Sequence, residues 1–274
     1  LGWPRVSQDG ITLHQKTNRY DSVDRFFANP PERSRVAVYK TEYQVPFRLS
    51  GYVPSAQMHV IEATLRGKHE FKTYIKNEAL DVRFEFMDMN RDEGADPVTV
   101  TVFNEKGLPV MDARAEDDGH THDDTIPSAM REIRLFVPGL AEGVYKVVMN
   151  ASRDVFFRKI HTTQSKLIFL NAIYVGDEVA YRDTQRPAEV WTASKRLRAQ
   201  TRHGSSVQDL VSGSNTFAVT EPYKLFTFET DGTLRPIQIS KGDLELYFDG
   251  PLAFSKEQYF QPDPTALRPY TNIQ

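Results

Sequence analysis

The stretch DMNRDEGADPV, at residues 88–98, concentrates side chains whose oxygen atoms could bind a hard cation. The candidate ligands in it are Asp88, Asn90, Asp92 and Asp96. An Asp-x-Asn-x-Asp spacing allows one loop to present several oxygen atoms to Ca²⁺. An EF-hand loop also needs Gly at its sixth position and Glu at its twelfth, where this chain has Glu93 and Thr99. The spacing therefore excludes an EF-hand and leaves a looser calcium loop as one interpretation.

A turn between two strands is the other interpretation of this stretch, and the sequence favours it. Asp and Asn are common in turns because their side chains accept hydrogen bonds from nearby backbone N–H groups, and Gly is common because it adopts positive φ. In this interpretation Asp88, Asn90 and Asp92 cap backbone N–H groups, and Pro97 begins the next strand. No cofactor is then required, and Ca²⁺ is the alternative to be tested.

A second acidic stretch, DDGHTHDD at residues 117–124, contains a His-x-His pair. In an extended chain the imidazoles of His120 and His122 point to the same side, which is a common arrangement of metal ligands. Four carboxylates beside them would favour a divalent ion. A catalytic zinc site needs a third fixed protein ligand, and the sequence identifies none. We therefore expect a solvated loop here.

Aromatic side chains beside polar groups form the third candidate site, because the face of a pyranose sugar stacks on an aromatic ring. The candidates for sugar binding are Trp191 with Tyr181, and Tyr223 with Tyr247. Aromatic residues of a core are a more common explanation of such positions. Glycan binding is accordingly an alternative and not the leading interpretation.

Charge and motifs exclude several functional classes. The chain has 34 basic and 37 acidic residues and a net charge of −3, which gives no electrostatic reason to bind nucleic acid. The basic cluster near Trp191 is therefore expected to be the solvent face of a hairpin; its members are Lys195, Arg196, Arg198, Arg202 and His203. Without Cys there are no disulfides, thiol nucleophiles or iron–sulfur clusters. Glycine loops, nucleophile elbows and His-Glu-x-x-His motifs are also missing, so we expect a protein that is not an enzyme.

The elements that must position these residues are strands, because apolar and polar residues alternate with a period of two. Predicted strands include residues 81–86, 98–102, 108–110, 132–137, 166–175, 196–201, 216–220, 224–229, 235–240 and 243–248. Residues 188–202 read either as a helix or, as we favour, as a hairpin that turns at residues 193–195. A short helix is predicted at residues 21–27. Closely spaced short strands with turn signals between them predict an all-β sandwich. The longest apolar run, at residues 167–175, is much shorter than the roughly 20 residues of a membrane span.

Two segments carry a family resemblance. VTVTVFNEKGLPV, at residues 98–110, followed by LFVPGLAEGVYKVVM, at residues 135–149, resembles the closing strands of bacterial extracellular immunoglobulin-like surface modules. The resemblance covers about residues 98–150. It implies a β-sandwich and a surface setting, and it implies no activity.

Three regions are predicted: an extended and irregular arm at residues 1–50, a β-sandwich domain at residues 51–175, and a second β-sandwich domain at residues 176–274. The arm contains several aromatic residues, Tyr20, Phe26, Phe27, Tyr39, Tyr43 and Phe47. Aromatic anchors in an extended segment suggest that it packs on a sandwich or completes a neighbour's sheet by strand addition. The chain begins with Leu1 and not with Met, so we expect an export signal or anchor to be encoded upstream.

The leading hypothesis is therefore a secreted or cell-surface β-sandwich protein without enzymatic activity, acting in adhesion or as a structural subunit of a surface assembly. Its partners would be copies of itself or another surface protein, engaged through the arm. The alternative is a carbohydrate-binding accessory module of a polysaccharide-processing enzyme.

Overall fold

The computed structural model of the chain describes residues 3–9, 11–32, 35–36, 47–122, 126–176 and 187–262. The chain divides into two compact units. One consists of Leu1–Phe47 with Asp263–Gln274, and the other of Arg48–Pro262. Among the described residues of the large unit, the regular elements are β-strands, apart from one short 3-10 helix at Gly204–Ser206. No helix among the described residues is long and apolar enough to cross a membrane.

The described part of the small unit contains an antiparallel hairpin and one short helix. The hairpin pairs β1 (Arg5–Gln8) with β2 (Ile11–His14). Helix α1 (Val23–Ala28) begins after Ser22, whose hydroxyl accepts a hydrogen bond from the backbone N–H of Arg25 at 3.2 Å. Such a cap satisfies one of the N–H groups that a helix leaves unpaired at its start. The predicted helix is confirmed, and the hairpin is a feature that the sequence pattern did not indicate.

The aromatic residues of the predicted arm differ in exposure. Tyr20 is buried and its ring lies 5.4 Å from that of Phe26, edge to face. Phe27 is 59% exposed. Tyr39 and Tyr43 lie outside the described residues. Burial of the arm's aromatics against a sandwich therefore stays a prediction.

The large unit consists of two antiparallel sheets. The first sheet has 10 strands, in the spatial order β17 (Asn215–Val219), β16 (Gln208–Ser212), β19 (Arg235–Ile239), β14 (Ala188–Thr192), β21 (Leu252–Ala253), β12 (Leu167–Phe169), β5 (His69–Ile75), β10 (Gly143–Asn150), β7 (Val98–Phe103) and β8 (Pro109–Ala115). The second sheet has 9 strands, in the order β18 (Phe226–Glu229), β15 (Arg196–Thr201), β20 (Leu244–Phe248), β13 (Ala172–Val175), β4 (Leu65–Arg66), β11 (Val155–Thr162), β6 (Leu80–Asp88) and β9 (Arg131–Val137), with β3 (His59–Ile61) also paired to β11. The predicted all-β sandwich class is confirmed.

Period-two alternation explains why these segments form half-buried strands. In β6 the side chains of Leu80, Val82, Phe84 and Phe86 are buried, and the residues between them are partly exposed. The buried faces of the two sheets form a hydrophobic core. Phe71 of the first sheet and Phe84 of the second contact each other across it, with ring centroids 6.3 Å apart. Aromatic packing of this kind compensates for the modest share of aliphatic residues.

Both sheets continue across the predicted domain boundary at residue 176. In the first sheet, β12 pairs with β5 on one side and with β21 on the other. In the second sheet, β13 pairs with β4 and with β20. Strands from both predicted domains are thus hydrogen-bonded into common sheets. Whether residues 51–175 and 176–274 can fold as separate domains stays a prediction.

Two local expectations need correction. Residues 188–202 form two strands, but β14 lies in the first sheet and β15 in the second, so the chain crosses between sheets instead of forming a hairpin. The segment predicted as one strand at residues 166–175 is also divided between the sheets, as β12 and β13, with Asn171 at a φ of 66°. In both cases the alternation of apolar and polar residues along the chain predicts the strands correctly. It cannot distinguish a hairpin from a crossing between sheets, because it reports which side chains are buried and not which strand is the partner.

Candidate metal centre

The strand register brings three connections together at one end of the sandwich. In the second sheet Asp88, at the end of β6, lies opposite Val155, at the start of β11. In the first sheet Val98, at the start of β7, lies opposite Ala115, at the end of β8. The connections that meet here are those between β6 and β7, between β8 and β9, and between β10 and β11. Carboxylates from all of them form the candidate site, which we call the acidic cluster; its members are Asp88, Asp96, Asp117, Asp118 and Asp154.

Asp88 is the central residue of the acidic cluster. Only 2% of it is exposed. Its Oδ1 accepts a hydrogen bond from the backbone N–H of Asn90 at 3.0 Å, and its own backbone N–H donates to the Ser128 hydroxyl oxygen at 2.9 Å. Its Oδ2 is buried and has no hydrogen-bond partner. Asp88 therefore acts as a turn residue with one oxygen atom and leaves the other available to a ligand.

Asn90 is equally buried, at 2% exposure, and has a positive φ of 50°. Its Nδ2 donates to Oδ2 of Asp118 at 3.2 Å and to the backbone carbonyl of Ile126 at 2.8 Å. These two acceptors fix the orientation of the amide, because rotating it would bring its oxygen against two other oxygens. With the amide in this orientation, Oδ1 of Asn90 is buried and has no hydrogen-bond partner.

Asp154, between β10 and β11, is the residue that the sequence analysis missed. It is 1% exposed. Its Oδ2 accepts hydrogen bonds from the backbone N–H groups of Arg91 and Asp92, which holds the loop after β6 in place. Its Oδ1 is buried and has no partner. An Asp in the segment NASRDV gives no motif, so only its position opposite the end of β6 reveals it.

The remaining carboxylates are partly exposed and are oriented by backbone N–H groups. Asp117 accepts from the N–H of Asp96 at 2.9 Å through Oδ1 and from that of Gly119 at 2.8 Å through Oδ2. Asp118 accepts from the N–H of His120 at 2.9 Å through Oδ1. These bonds hold the carboxylates in place while each oxygen keeps a further lone pair.

The carboxylate oxygens form two overlapping sets. Asp88, Asp96 and Asp154 each offer one oxygen atom within 4.8 Å of the others, and so do Asp88, Asp117 and Asp118. Protein ligands of one Ca²⁺ lie about 2.3–2.6 Å from the ion, so any two of them are separated by at most about 5 Å. Each set therefore has the spacing of a cation site.

Electrostatics disfavour the ionised form of the cluster when no cation is bound. Burial raises the pKa of Asp88 to about 6, with further increases from Asp96, Asp154 and Asp118, while the N–H of Asn90 lowers it. The pKa of Asp96 is also raised, mainly by burial and then by Asp154, Asp117 and Asp92, against a lowering by the Ser152 hydroxyl. Among the described residues no Lys or Arg forms an ion pair with the five carboxylates. A bound cation would supply the missing positive charge.

The structure places the other predicted metal ligands outside the two sets. The side chain of Asp92 is exposed, and this residue contributes its backbone N–H to Asp154. His120 and His122 are exposed as well. The second acidic stretch contributes Asp117 and Asp118 to the cluster rather than its histidines.

The predicted sugar-binding aromatics differ in their surroundings, and their pairing stays a prediction. Trp191 is a half-buried residue of the first sheet whose Nε1 donates to Glu189 at 2.7 Å. Tyr247 belongs to the second sheet, where the guanidinium of Arg198 lies 5.3 Å from its ring centroid. Tyr223 is 71% exposed, and Tyr181 lies outside the described residues.

Comparisons with known proteins add little to this geometry. No family model matches the sequence, and no curated protein matches it. Among solved structures, the chain is similar to dimeric latent PorU from Porphyromonas gingivalis, with a TM-score of 0.30 and 10% sequence identity. That match covers 80% of this chain and 21% of the other, so this chain spans about a fifth of the length of the protein it matches. The resemblance to immunoglobulin-like surface modules stays a prediction, and the case for a function depends on the described side chains.

Proposed function

We propose that this protein is a calcium-binding β-sandwich protein that is secreted or displayed at a cell surface, with no enzymatic activity. The observation that carries the proposal is the group of three buried oxygen atoms without partners, Oδ2 of Asp88, Oδ1 of Asn90 and Oδ1 of Asp154. Leaving such atoms unsatisfied costs about 1–3 kcal/mol each, and more when the group is charged. A cation bound between them would remove that cost.

The chemistry of the donor set supports Ca²⁺ over other ions. All donors are carboxylate or amide oxygens, which Ca²⁺ prefers, whereas Zn²⁺ prefers nitrogen and sulfur. The donors come from loops, and Ca²⁺ accepts six to eight oxygens in irregular arrangements. Mg²⁺ demands a near-ideal octahedron at about 2.0–2.1 Å and usually retains several waters.

The position of the acidic cluster supports a structural role, which we propose for an extracellular setting. An ion held by Asp88, Asp96 and Asp154 would connect the loop after β6 to the turn before β11. Calcium sites of extracellular modules have dissociation constants of about 0.1–1 mM and are suited to high calcium concentrations. Such an ion would stiffen one end of the sandwich and favour the adhesion or surface-assembly role proposed for the protein, with a copy of itself or another surface protein as partner.

Melting curves of the full chain test calcium binding. We expect calcium at 100 times its dissociation constant to add about 2.7 kcal/mol to the free energy of unfolding, which raises Tm by about 5–10 °C for a unit of this size. Calcium should raise Tm by more than an equimolar concentration of magnesium does, and EDTA should reverse the increase. The Asp154→Asn variant should lose most of the response, because it loses the most deeply buried charged ligand.

The matched control is Asp92→Asn, which removes an exposed carboxylate from the same loop and should respond to calcium like the wild type. Equal melting temperatures in EDTA and in calcium on the order of tens of millimolar, with no heat of calcium binding by calorimetry, would contradict the proposal. An equal loss of response in both variants would show that general acidity, and not this site, binds the ion.

Carbohydrate binding is a second candidate, favoured by an open cleft on the second sheet. The cleft has a volume of about 360 Å³ and is lined by Arg196, Arg198, Tyr247, Phe248 and Asp249. An aromatic ring beside charged groups is suited to stacking a sugar and bonding its hydroxyls. Glycan-array binding that disappears in the Tyr247→Ala variant would support this candidate, and an array without any signal would remove it.

A further inference from the structure

We infer that the acidic cluster binds two calcium ions that share Asp88, one held with Asp96 and Asp154 and the other with Asp117 and Asp118. This inference rests on the proposed function, since it concerns the same cluster. It adds a second ion site and assigns a bridging role to Asp88.

Geometry is the first argument for two ions. The five carboxylates fall into two sets of three, and the only member common to both is Asp88. Within a set, the oxygen atoms lie within 4.8 Å of one another, close to the largest separation that two ligands of one Ca²⁺ can have, about 5 Å. Two ion positions therefore account for both sets. A carboxylate can bind one ion through one oxygen and a second ion through the other, which suits Asp88 to bridging.

Charge is the second argument. Five ionised carboxylates carry a charge of −5, and no Lys or Arg in the described parts of the chain forms an ion pair with them. One Ca²⁺ would leave −3 and two would leave −1. Because Asp88 belongs to both sets, an ion in one set alone leaves it beside uncompensated charge from the other.

Asn90 supplies an independent observation. It is not a carboxylate, yet its Oδ1 is buried at the cluster without a partner, on a residue that is 2% exposed. Its Nδ2 bonds to Asp118 of one set, and its backbone N–H bonds to Asp88, which belongs to both. A neutral amide oxygen held in this place is a common calcium ligand. Hydrogen bonds alone do not explain why an Asn should leave this atom unsatisfied.

The two sets differ in depth. Asp154 is almost completely buried, whereas Asp117 and Asp118 are partly exposed. Water can therefore complete the coordination of the second ion more readily than that of the first. We expect the second ion to bind more weakly, since exposed ligands are less rigid and their charges are better screened.

The test is the number of calcium ions bound to the full chain. Calcium-free protein is dialysed to equilibrium against calcium on the order of tens of millimolar, and metal in excess of the dialysate is measured by elemental analysis, with native mass spectrometry as a second readout. We expect two ions in the wild type, and two in the control Asp92→Asn. Asp154→Asn and Asp117→Asn should each retain one, and Asp88→Asn should weaken both.

The outcomes separate the inference from the proposed function. A wild type with one ion, lost in Asp154→Asn and retained in Asp117→Asn, overturns the second site and leaves calcium binding intact. A wild type with no bound ion overturns both. If Asp154→Asn does not fold by circular dichroism, Asp96→Asn reports on the same ion, and Asp118→Asn serves as the second variant for the other. Two ions whose number is unaffected by Asp117→Asn and by Asp118→Asn would overturn the assignment of ligands.

Discussion

Asp154 and Asp92 show how differently two acidic residues of one site can act. Asp154 is buried, supports the loop after β6 through two backbone N–H groups and keeps one oxygen without a partner. Asp92 is exposed and contributes only its backbone N–H to this arrangement. The Asp-x-Asn-x-Asp spacing lies in the loop that contributes Asp88 to the acidic cluster, and two of its three residues, Asp88 and Asn90, are buried there. Asp88 also combines both interpretations of the sequence, since one oxygen caps a turn and the other is available to a cation.

A buried histidine offers a test at the residue scale that is independent of calcium. His69 is 2% exposed, its Nδ1 bonds to the backbone carbonyl of Gly67 at 3.0 Å, and its Nε2 accepts from the N–H of Tyr174 at 3.0 Å. Burial lowers the pKa of His69 from 6.5 to about 4, against a smaller raising effect of the Gly67 carbonyl. The ring is therefore neutral in the folded protein at neutral pH, and it takes up a proton less readily there than in the unfolded chain.

The pKa of His69 is lower in the folded protein than in the unfolded chain. The contribution of the neutral ring to the free energy of unfolding is therefore fully present above pH 6.5 and is lost as the pH falls toward 4. The shift corresponds to a loss on the order of 3 kcal/mol. We expect His69→Gln, which cannot gain a proton, to show a correspondingly smaller decrease in unfolding free energy over this range, measured by urea denaturation in EDTA. The imidazole signal that disappears in His69→Gln should titrate near pH 4 by NMR. Identical pH profiles for both proteins, with a midpoint near 6.5, would contradict this.

At the scale of elements, the crossing from β14 to β15 shows how polar side chains redirect the chain between sheets. Ser194 is 2% exposed, and its hydroxyl oxygen lies 2.8 Å from that of Thr192. The same oxygen accepts from the N–H of Gly250 at 3.0 Å. Thr192 in turn donates to the carbonyl of Pro251 at 2.7 Å. These bonds satisfy buried backbone groups that a crossing leaves without ladder partners.

Replacing Ser194 should therefore be costly. We expect Ser194→Ala to lower the free energy of unfolding by about 1–3 kcal/mol, because it removes a partner of the buried Thr192 hydroxyl and the acceptor of the part-buried Gly250 N–H. Ser214→Ala, in the exposed turn between β16 and β17, is the matched control and should change stability by less than about 0.5 kcal/mol. Urea denaturation at neutral pH measures both. A loss in Ser194→Ala no larger than in the control would show that water replaces the hydroxyl.

For the whole molecule, the continuity of the sheets leads to a prediction about which parts can fold alone. The ring of Phe169 packs edge to face on Phe254 at 5.3 Å. The Tyr174 hydroxyl donates to the buried carboxylate of Asp243 at 2.8 Å. Both contacts connect residues on opposite sides of position 176. A chain that ends there would expose two strand edges and part of the core, which favours aggregation.

We accordingly expect residues 48–175, produced alone, to lack a cooperative thermal transition, whereas residues 48–262 should retain one. Circular dichroism at increasing temperature, with gel filtration to detect aggregation, makes the comparison. The longer chain controls for removal of the terminal segments. A sharp transition in the shorter chain would instead support two β-sandwich domains that fold independently, as the sequence predicts.

The sequence by itself determined many of the strands, the all-β class and the turn-forming loop at Asp88, because alternation and turn chemistry are local properties of neighbouring residues. It also located Asp88, Asn90 and Asp96 as candidate ligands. Only the tertiary structure decided which strands pair and which loops meet. Asp154 joins the acidic cluster because Val155 lies opposite Asp88 in the second sheet, and Asp117 and Asp118 join it through the register of β7 with β8. Such pairings connect residues far apart in the chain, and the free energy that selects them comes from the shared core and not from any short stretch of sequence.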